Sequence, residues 1–286
     1  MKDPARRRSS AAVWVAGALA LLHLRCYWLA PYSDLTSGIG QDGGDPGDAR
    51  SADAAADTGP ETSETSGGGH FCERVSPPPS FCRDFDEGEA AGAGFTFVNA
   101  SPGGTLAVDP NVGAASSASL HAAVPATAGG GPLEYLAQDF DVTTELHVAF
   151  DARADELGNA TDEVTLVSLN SHDTALNVGR SLLYYTTRAG AQIEEESGPP
   201  FMNWPKALPG PPATGQWLHY DLDVRLTPQR PSILTLIVDR TTWIDHQPLG
   251  QEWRPGTFRL SIGLAWISQS RAAWSFHYDN VVVVAR

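Results

Sequence analysis

The stretch QWLHYDLDVRL, Gln216 to Leu226, decides the fold. Along it Trp217, His219, Asp221, Asp223 and Arg225 fall on one side of an extended chain, while Leu218, Tyr220, Leu222, Val224 and Leu226 fall on the other. Successive side chains of a strand point to opposite faces, so the segment reads as a β-strand with one face on a core. Working outward, GFTFVN, SLHAAV, LEYLAQDF, TELHVAFDAR, DEVTLVSL, SLLYYTTR, SILTLIVD, FRLSIGLAW and WSFHYDNVVVVA are short and rich in β-branched or aromatic residues, with Gly, Pro, Asn or Asp between them. No segment longer than about ten residues keeps a helical period, and about ten or more strands at this spacing predict two packed antiparallel sheets. The expected fold class is an all-β sandwich of jelly-roll type.

That pattern begins near Phe71, so the chain divides into three parts. Residues 1–26 carry Lys2 and Arg6-Arg7-Arg8 ahead of an apolar run from Ala11 to Leu22, the charged head and short apolar stretch of a signal or anchor segment. Cys26 behind that run resembles the attachment cysteine of a bacterial lipoprotein, although His23-Leu24-Arg25 departs from the small, apolar residues expected before it, Arg25 most of all. Lipidation at Cys26, simple secretion and an uncleaved anchor all fit, and each places the folded part outside the cytoplasm, tethered to the envelope or free. Residues 27–70 are an acidic Gly/Ala/Ser/Asp linker in which eight acids from Asp34 to Glu64 face the single base Arg50. Such a segment buries too little apolar surface to offset its ordering entropy and is expected to be a disordered spacer. Residues 71–286 form the sandwich. The net charge of -15 repels a phosphate backbone and excludes nucleic acid as a partner.

With Cys26 set aside, Cys72 and Cys82 are an even number in an exported chain and read as one disulfide at the entrance to the fold. Two free thiols are the alternative. A zinc site is disfavoured, because no second cysteine pair or spaced histidine pair accompanies them.

The order FCRDFDEG, TELHVAFDAR, GQWLHYDLDV, LIVDR, FRLSIGLAW and HYDNVVVVA resembles the concanavalin A-like lectin/glucanase superfamily, and within it the laminin-G-like jelly-roll domains of exported bacterial proteins. The resemblance spans roughly Phe71 to Arg286 and implies that the first and last strands lie side by side. Asp84, Asp86 and Glu87 would then approach Asp279 and Asn280. The same resemblance implies a structural calcium, with Asp84, Asp86 and Asp279 as oxygen donors and no other cofactor. The alternative is that Asp84 and Asp86 flank Phe85 as solvent-facing strand residues and that Asp279 and Asn280 hydrogen-bond a nearby loop.

Glucanases of this superfamily carry Glu-x-Asp-x-Glu or a close variant on one strand face, and the sequence has no such run. The nearest substitute is AQIEEESG, in which Glu194 and Glu196 share a face and Glu195 points away. Other catalytic signatures are absent, including Gly-x-Ser-x-Gly, phosphate loops and His-Glu-x-x-His. His121, His147, His172, His219, His246 and His277 stand singly and read as packing or surface residues. Phe201 and Trp204 lie in ESGPPFMNWPKALPGPPATG, read as one long Pro-rich loop of the kind that frames a binding face, and Trp243 is a third candidate for ligand contact. The sequence thus points to a non-catalytic, cell-envelope or secreted module that binds carbohydrate or surface glycan. A structural or adhesive surface protein is the alternative, and a glycoside hydrolase comes behind both.

Overall fold

A computed structural model describes residues 70–286, apart from short stretches at 115–116, 128–132, 143, 174–177, 188–189, 199–201, 209–212, 228–230 and 251. The signal and linker expectations, Cys26 and Phe201 lie outside the described residues. After the short helix α1 (Phe71–Arg74) come fifteen strands: β1 (Phe81–Arg83), β2 (Phe97–Ala100), β3 (Thr105–Asp109), β4 (Ser119–Val124), β5 (Glu134–Val142), β6 (Glu145–Leu157), β7 (Val164–Asp173), β8 (Val178–Thr186), β9 (Ala191–Gly198), β10 (Met202–Ala207), β11 (Trp217–Arg225), β12 (Ile233–Val238), β13 (Thr241–Pro248), β14 (Gly256–Ile267) and β15 (Trp274–Ala285). They form two antiparallel sheets, as the alternation predicts. One has eight strands in the order β13-β12-β11-β6-β15-β4-β3, with β1 also paired to β15. The other has seven, in the order β10-β9-β8-β7-β14-β5-β2.

The alternation in β11 has the predicted outcome. Tyr220, Leu222 and Val224 are buried in the core, and the strand pairs with β6 in a register that sets His219 against Asp151 and Asp223 against His147. Between the sheets Phe150 stacks on Tyr220 with centroids 5.0 Å apart, and Tyr278 donates its hydroxyl to the carbonyls of Leu166 and Gly263. Fully buried tyrosine hydroxyls need such partners, so these bonds fix how the layers sit on each other. Gly263 has φ +117, and a Cβ there would lie 2.9 Å from Tyr135 Cα, so a glycine is required where β14 approaches β5.

The first and last strands lie side by side, as the resemblance implies. Phe81, Cys82 and Arg83 pair with Val283, Val282 and Val281, and the Ala285 amide donates to Ser80 Oγ at 2.7 Å. Cys72 and Cys82 are bonded, with Cα atoms 5.6 Å apart.

Two segments differ from the sequence reading. GTLAVDPN, residues 104–111 and not among the strands read from the sequence, contains strand β3. The supposed Pro-rich loop contains β10, paired with β9 from Met202↔Ser197 to Ala207↔Gln192. Proline interrupts the ladder of a central strand, but β10 is an edge strand, where the missing N–H of Pro205 is tolerated.

The closed loop of about ten residues predicts that replacing both Cys72 and Cys82 by serine lowers unfolding free energy by about 2–3 kcal/mol in the chain-entropy treatment. Denaturant titration of the double variant under oxidising conditions checks the value.

Candidate functional site

The polar residues of this sandwich are gathered on the outward faces of its two sheets. On the seven-stranded sheet, β7 turns Val167 and Leu169 into the core and so places Ser168, Asn170 and His172 on the outside. The neighbouring registers extend that face: Arg259 is opposite Asn170, Ser261 opposite Ser168, Glu196 opposite Ser181 and Glu194 opposite Leu183. Asn170 is the centre of a small network, donating from Nδ2 to Ser168 Oγ at 3.3 Å and accepting from Ser181 Oγ at 3.1 Å. Arg259 grips Asp139 with two bonds, Nε to Oδ1 at 2.7 Å and Nη2 to Oδ2 at 2.9 Å. Hydrogen bonding to Asp139 raises the already high pKa of this guanidinium, which stays charged.

An outward row of polar residues on a sheet is normally wet. Here Ser168, Asn170, Ser181, Ser261, Glu194 and Glu196 are all buried, while His172 and Arg259 keep partial exposure. Closely held polar groups of this kind are expensive to bury and are found where a site is prepared in advance. The predicted split within the glutamate run is observed. Glu194 and Glu196 share the outward row, whereas Glu195 accepts from the Trp253 indole at 2.8 Å and from the Gly250 amide.

The eight-stranded sheet carries a second outward cluster. Asp223 holds His147 Nδ1 at 2.9 Å, His147 Nε2 and His219 Nε2 lie 3.4 and 3.5 Å from the two oxygens of Asp221, and His219 Nδ1 is 2.7 Å from Asp151. Asn280 Nδ2 completes the row by donating to Asp151 at 2.6 Å. Nearby, His277 lies 2.8 Å from Asp155 and stacks on His121 with centroids 4.5 Å apart. Burial disfavours the charged imidazole of His219, but hydrogen bonds and charge from Asp151 and Asp221 outweigh it and push its pKa up to about 10. Burial and the charge of His277 push His121 down instead. Four histidines read as single residues therefore share one face. The signal was the alternation His147, Asp151, Arg153, Asp155 in β6 against Trp217, His219, Asp221, Asp223 in β11, which only the strand pairing brings together.

The acidic opening motif lies at the β1–β15 border. Asp84 is fully buried, so it is not the solvent-facing strand residue of the alternative reading. Its carboxylate accepts from the amides of Cys72 at 3.0 Å and Asp86 at 3.4 Å. Asp86 accepts from the Ala118 amide at 3.1 Å. His70, Asp84 and Asp86 bring potential ligand atoms within 4.8 Å of one another. Asp279 stands outside that trio, its oxygens accepting from the amides of Ala114 and Asn280 at 2.9 and 2.8 Å. Burial, opposed by those two bonds, raises its pKa to about 7. Among the aromatic candidates, Trp243 is half-buried on β13 and packs against the core. Trp204 occupies the position on β10 paired with Glu195, in the other sheet.

No family model matches the chain, and no curated protein is significantly similar to it in sequence. Solved structures do match. An endo-β-1,4-glucuronan lyase from the fungus Trichoderma reesei superposes with a TM-score of 0.57 at 12% identity, covering 73% of this chain and 96% of the lyase. The alginate lyase Aly36B, in complex with an alginate tetrasaccharide, gives 0.50 at 14% identity over 72% and 96%. These neighbours are polysaccharide lyases. At such identities the likeness shows the fold, a jelly-roll-like sandwich. It also corrects the expectation of a non-catalytic module with catalysis ranked last, since these two neighbours are lyases and not binding modules.

The raised pKa of His219 has a stability consequence with a definite sign. Its contribution is complete below the unfolded value of about 6.5 and is lost as pH rises through about 10. His219→Gln should therefore flatten the loss of thermal stability between about pH 7 and pH 10, as read from melting curves across that range.

Proposed function

We propose that the protein is a polysaccharide lyase acting on a uronate-containing glycan across the outward face of the seven-stranded sheet. The observation that carries this reading is Asn170 and His172, two residues apart on one face of β7, with Arg259 directly opposite Asn170 on β14. The likeness to a glucuronan lyase and an alginate lyase supports it.

The reaction asks for few parts. The proton on C5 of a uronate is acidified when the adjacent carboxylate is neutralised, and hydrogen-bond donors aimed at that carboxylate stabilise the negative charge that develops on it. Arg259 uses two of its five N–H donors on Asp139, leaving three for a substrate carboxylate, and Asn170 uses one of its two amide hydrogens on Ser168. His172 acts as base and takes the C5 proton. The C4–O bond breaks as the C4=C5 double bond forms, and the departing oxygen takes its proton back from the imidazolium. Atoms and charge balance without water or a redox partner.

The concanavalin A-like resemblance extends the proposal to fold ancestry, and the N-terminal segment supports export, either tethered through Cys26 or released. Fatty-acid labelling of wild type against Cys26→Ser separates the two. A structural calcium is proposed at the opening motif, where the oxygen donors Asp84 and Asp86 suit a hard cation and Asp279 lies near. Calcium added to chelator-treated protein should raise its melting temperature, and an unchanged melt would remove the metal from this scheme.

For the reaction, alginate and β-1,4-glucuronan should yield unsaturated uronate ends, detected by their ultraviolet absorbance, and His172→Ala should lower that rate by about 100-fold or more. New reducing ends without unsaturation, or no product from either polymer, would overturn the lyase reading. The net charge of -15 opposes the approach of a polyanion. Shortening the Debye length from about 30 Å to about 8 Å with salt should therefore raise kcat/KM, the opposite of the response of a basic cleft.

A further inference from the structure

Phe97 and Val98 are the large apolar residues that β2 leaves exposed, with 41% and 48% of their surface open. β2 is the edge of the seven-stranded sheet, and an exposed aromatic on an edge strand invites unwanted pairing unless it has a use. Phe97 is opposite Ala137 on β5, on the same outward row as Tyr135 and Asp139. Its ring lies 5.8 Å from the centroid of Tyr135, tilted by 38°, and the Arg259 guanidinium carbon sits 5.8 Å from the Phe97 centroid. Arg259 is thereby held twice, by the paired bonds to Asp139 and by the face of Phe97. Gly263 is what allows the close approach of β14 to the Tyr135 backbone on this side.

The arrangement joins the exposed ring to the reactive row. Arg259 is one strand from Asn170, whereas Phe97 is three strands from β7, about 14 Å at the usual interstrand spacing. A sugar seated on Phe97 therefore belongs to a chain that crosses the strands, and a single monosaccharide at His172 does not reach it. We propose that Phe97 and Tyr135 form a distal subsite for a hexuronate unit of the polymer. The apolar face of the pyranose ring stacks on the open side of Phe97, while Arg259, over the other face of Phe97, keeps its remaining N–H groups for the uronate at His172. This subsite rests on the lyase reading and adds to it a preference for long substrates.

The test uses Phe97→Ala and the rescuing Phe97→Trp, with calorimetric titration of alginate and β-1,4-glucuronan oligosaccharides of increasing length. Phe97→Ala should raise Kd for the longer oligosaccharides about tenfold, the effect of one lost aromatic contact, while Phe97→Trp keeps it within a few-fold of wild type. The melting temperature should fall by no more than about 4 °C, because the partly exposed ring gives up only its contacts with Tyr135 and Arg259. KM for polymer should rise in step with Kd, whereas the shortest oligosaccharide bound should show no difference between Phe97→Ala and wild type. Wild-type cleavage with an unchanged Kd in Phe97→Ala would overturn the subsite and leave the lyase reading intact. Failure of the wild-type protein to bind or cleave either polymer would overturn both.

Discussion

Strand β15 is the member on which the rest of the molecule depends. It lies between β6 on one side and β4 and β1 on the other, and it is buried on both faces over nearly its whole length. Its pairing with β1 joins residues about two hundred positions apart, yet loop-closure entropy grows only logarithmically, so doubling the separation costs only about 0.6 kcal/mol more. What the pairing secures is large by comparison: the amides of Cys72, Asp86, Ala114 and Ala118 all find carboxylate acceptors at that border. Buried backbone donors without acceptors cost roughly 1–3 kcal/mol each, which explains why the acids of FCRDFDEG and HYDN sit there. The opening motif is a set of hydrogen-bond acceptors for the seam, and any calcium would join an arrangement that already has a structural task.

The two-sheet architecture could be read from single strands, because alternation is a property of one segment. β11 showed it plainly, and the split of Glu194 and Glu196 from Glu195 followed from the same period of two. Edges and clusters were harder. β10 was hidden by Pro205, since proline argues against a strand until its place at the sheet edge is known. β12 and β13 are joined through Asp239 and Arg240, both with positive φ and neither a glycine, so no turn signature marked the hairpin. The His–Asp row of β6 and β11 depends on cross-strand register, unbroken from Trp217↔Arg153 to Arg225↔Glu145, which no single segment reveals. Asn170 and His172 were passed over for the same reason, because their meaning comes from Arg259 on a strand nearly ninety positions later.

The two outward faces spend their polarity differently. On the eight-stranded sheet the histidines and aspartates are held against one another in pairs, and His219 gives that surface a pH-dependent strength. On the seven-stranded sheet the amide of Asn170 and the guanidinium of Arg259 are oriented by neighbours while keeping donors in reserve. Groups whose rotamers are fixed by surrounding bonds, with capacity left over, are the usual form of a prepared site.

The seam between β1 and β15 also sets an order of events. The partner of Cys82 in the ladder is Val282, two hundred positions later, so the first strand waits unpaired until the intervening strands have been made. A chain that crosses a membrane in the N-to-C direction would thus hold its leading segment open throughout passage, with the nearby cysteines free to join early and keep that segment compact. Loss of β15 would therefore be felt at β1, the strand most distant from it in sequence among those it pairs with.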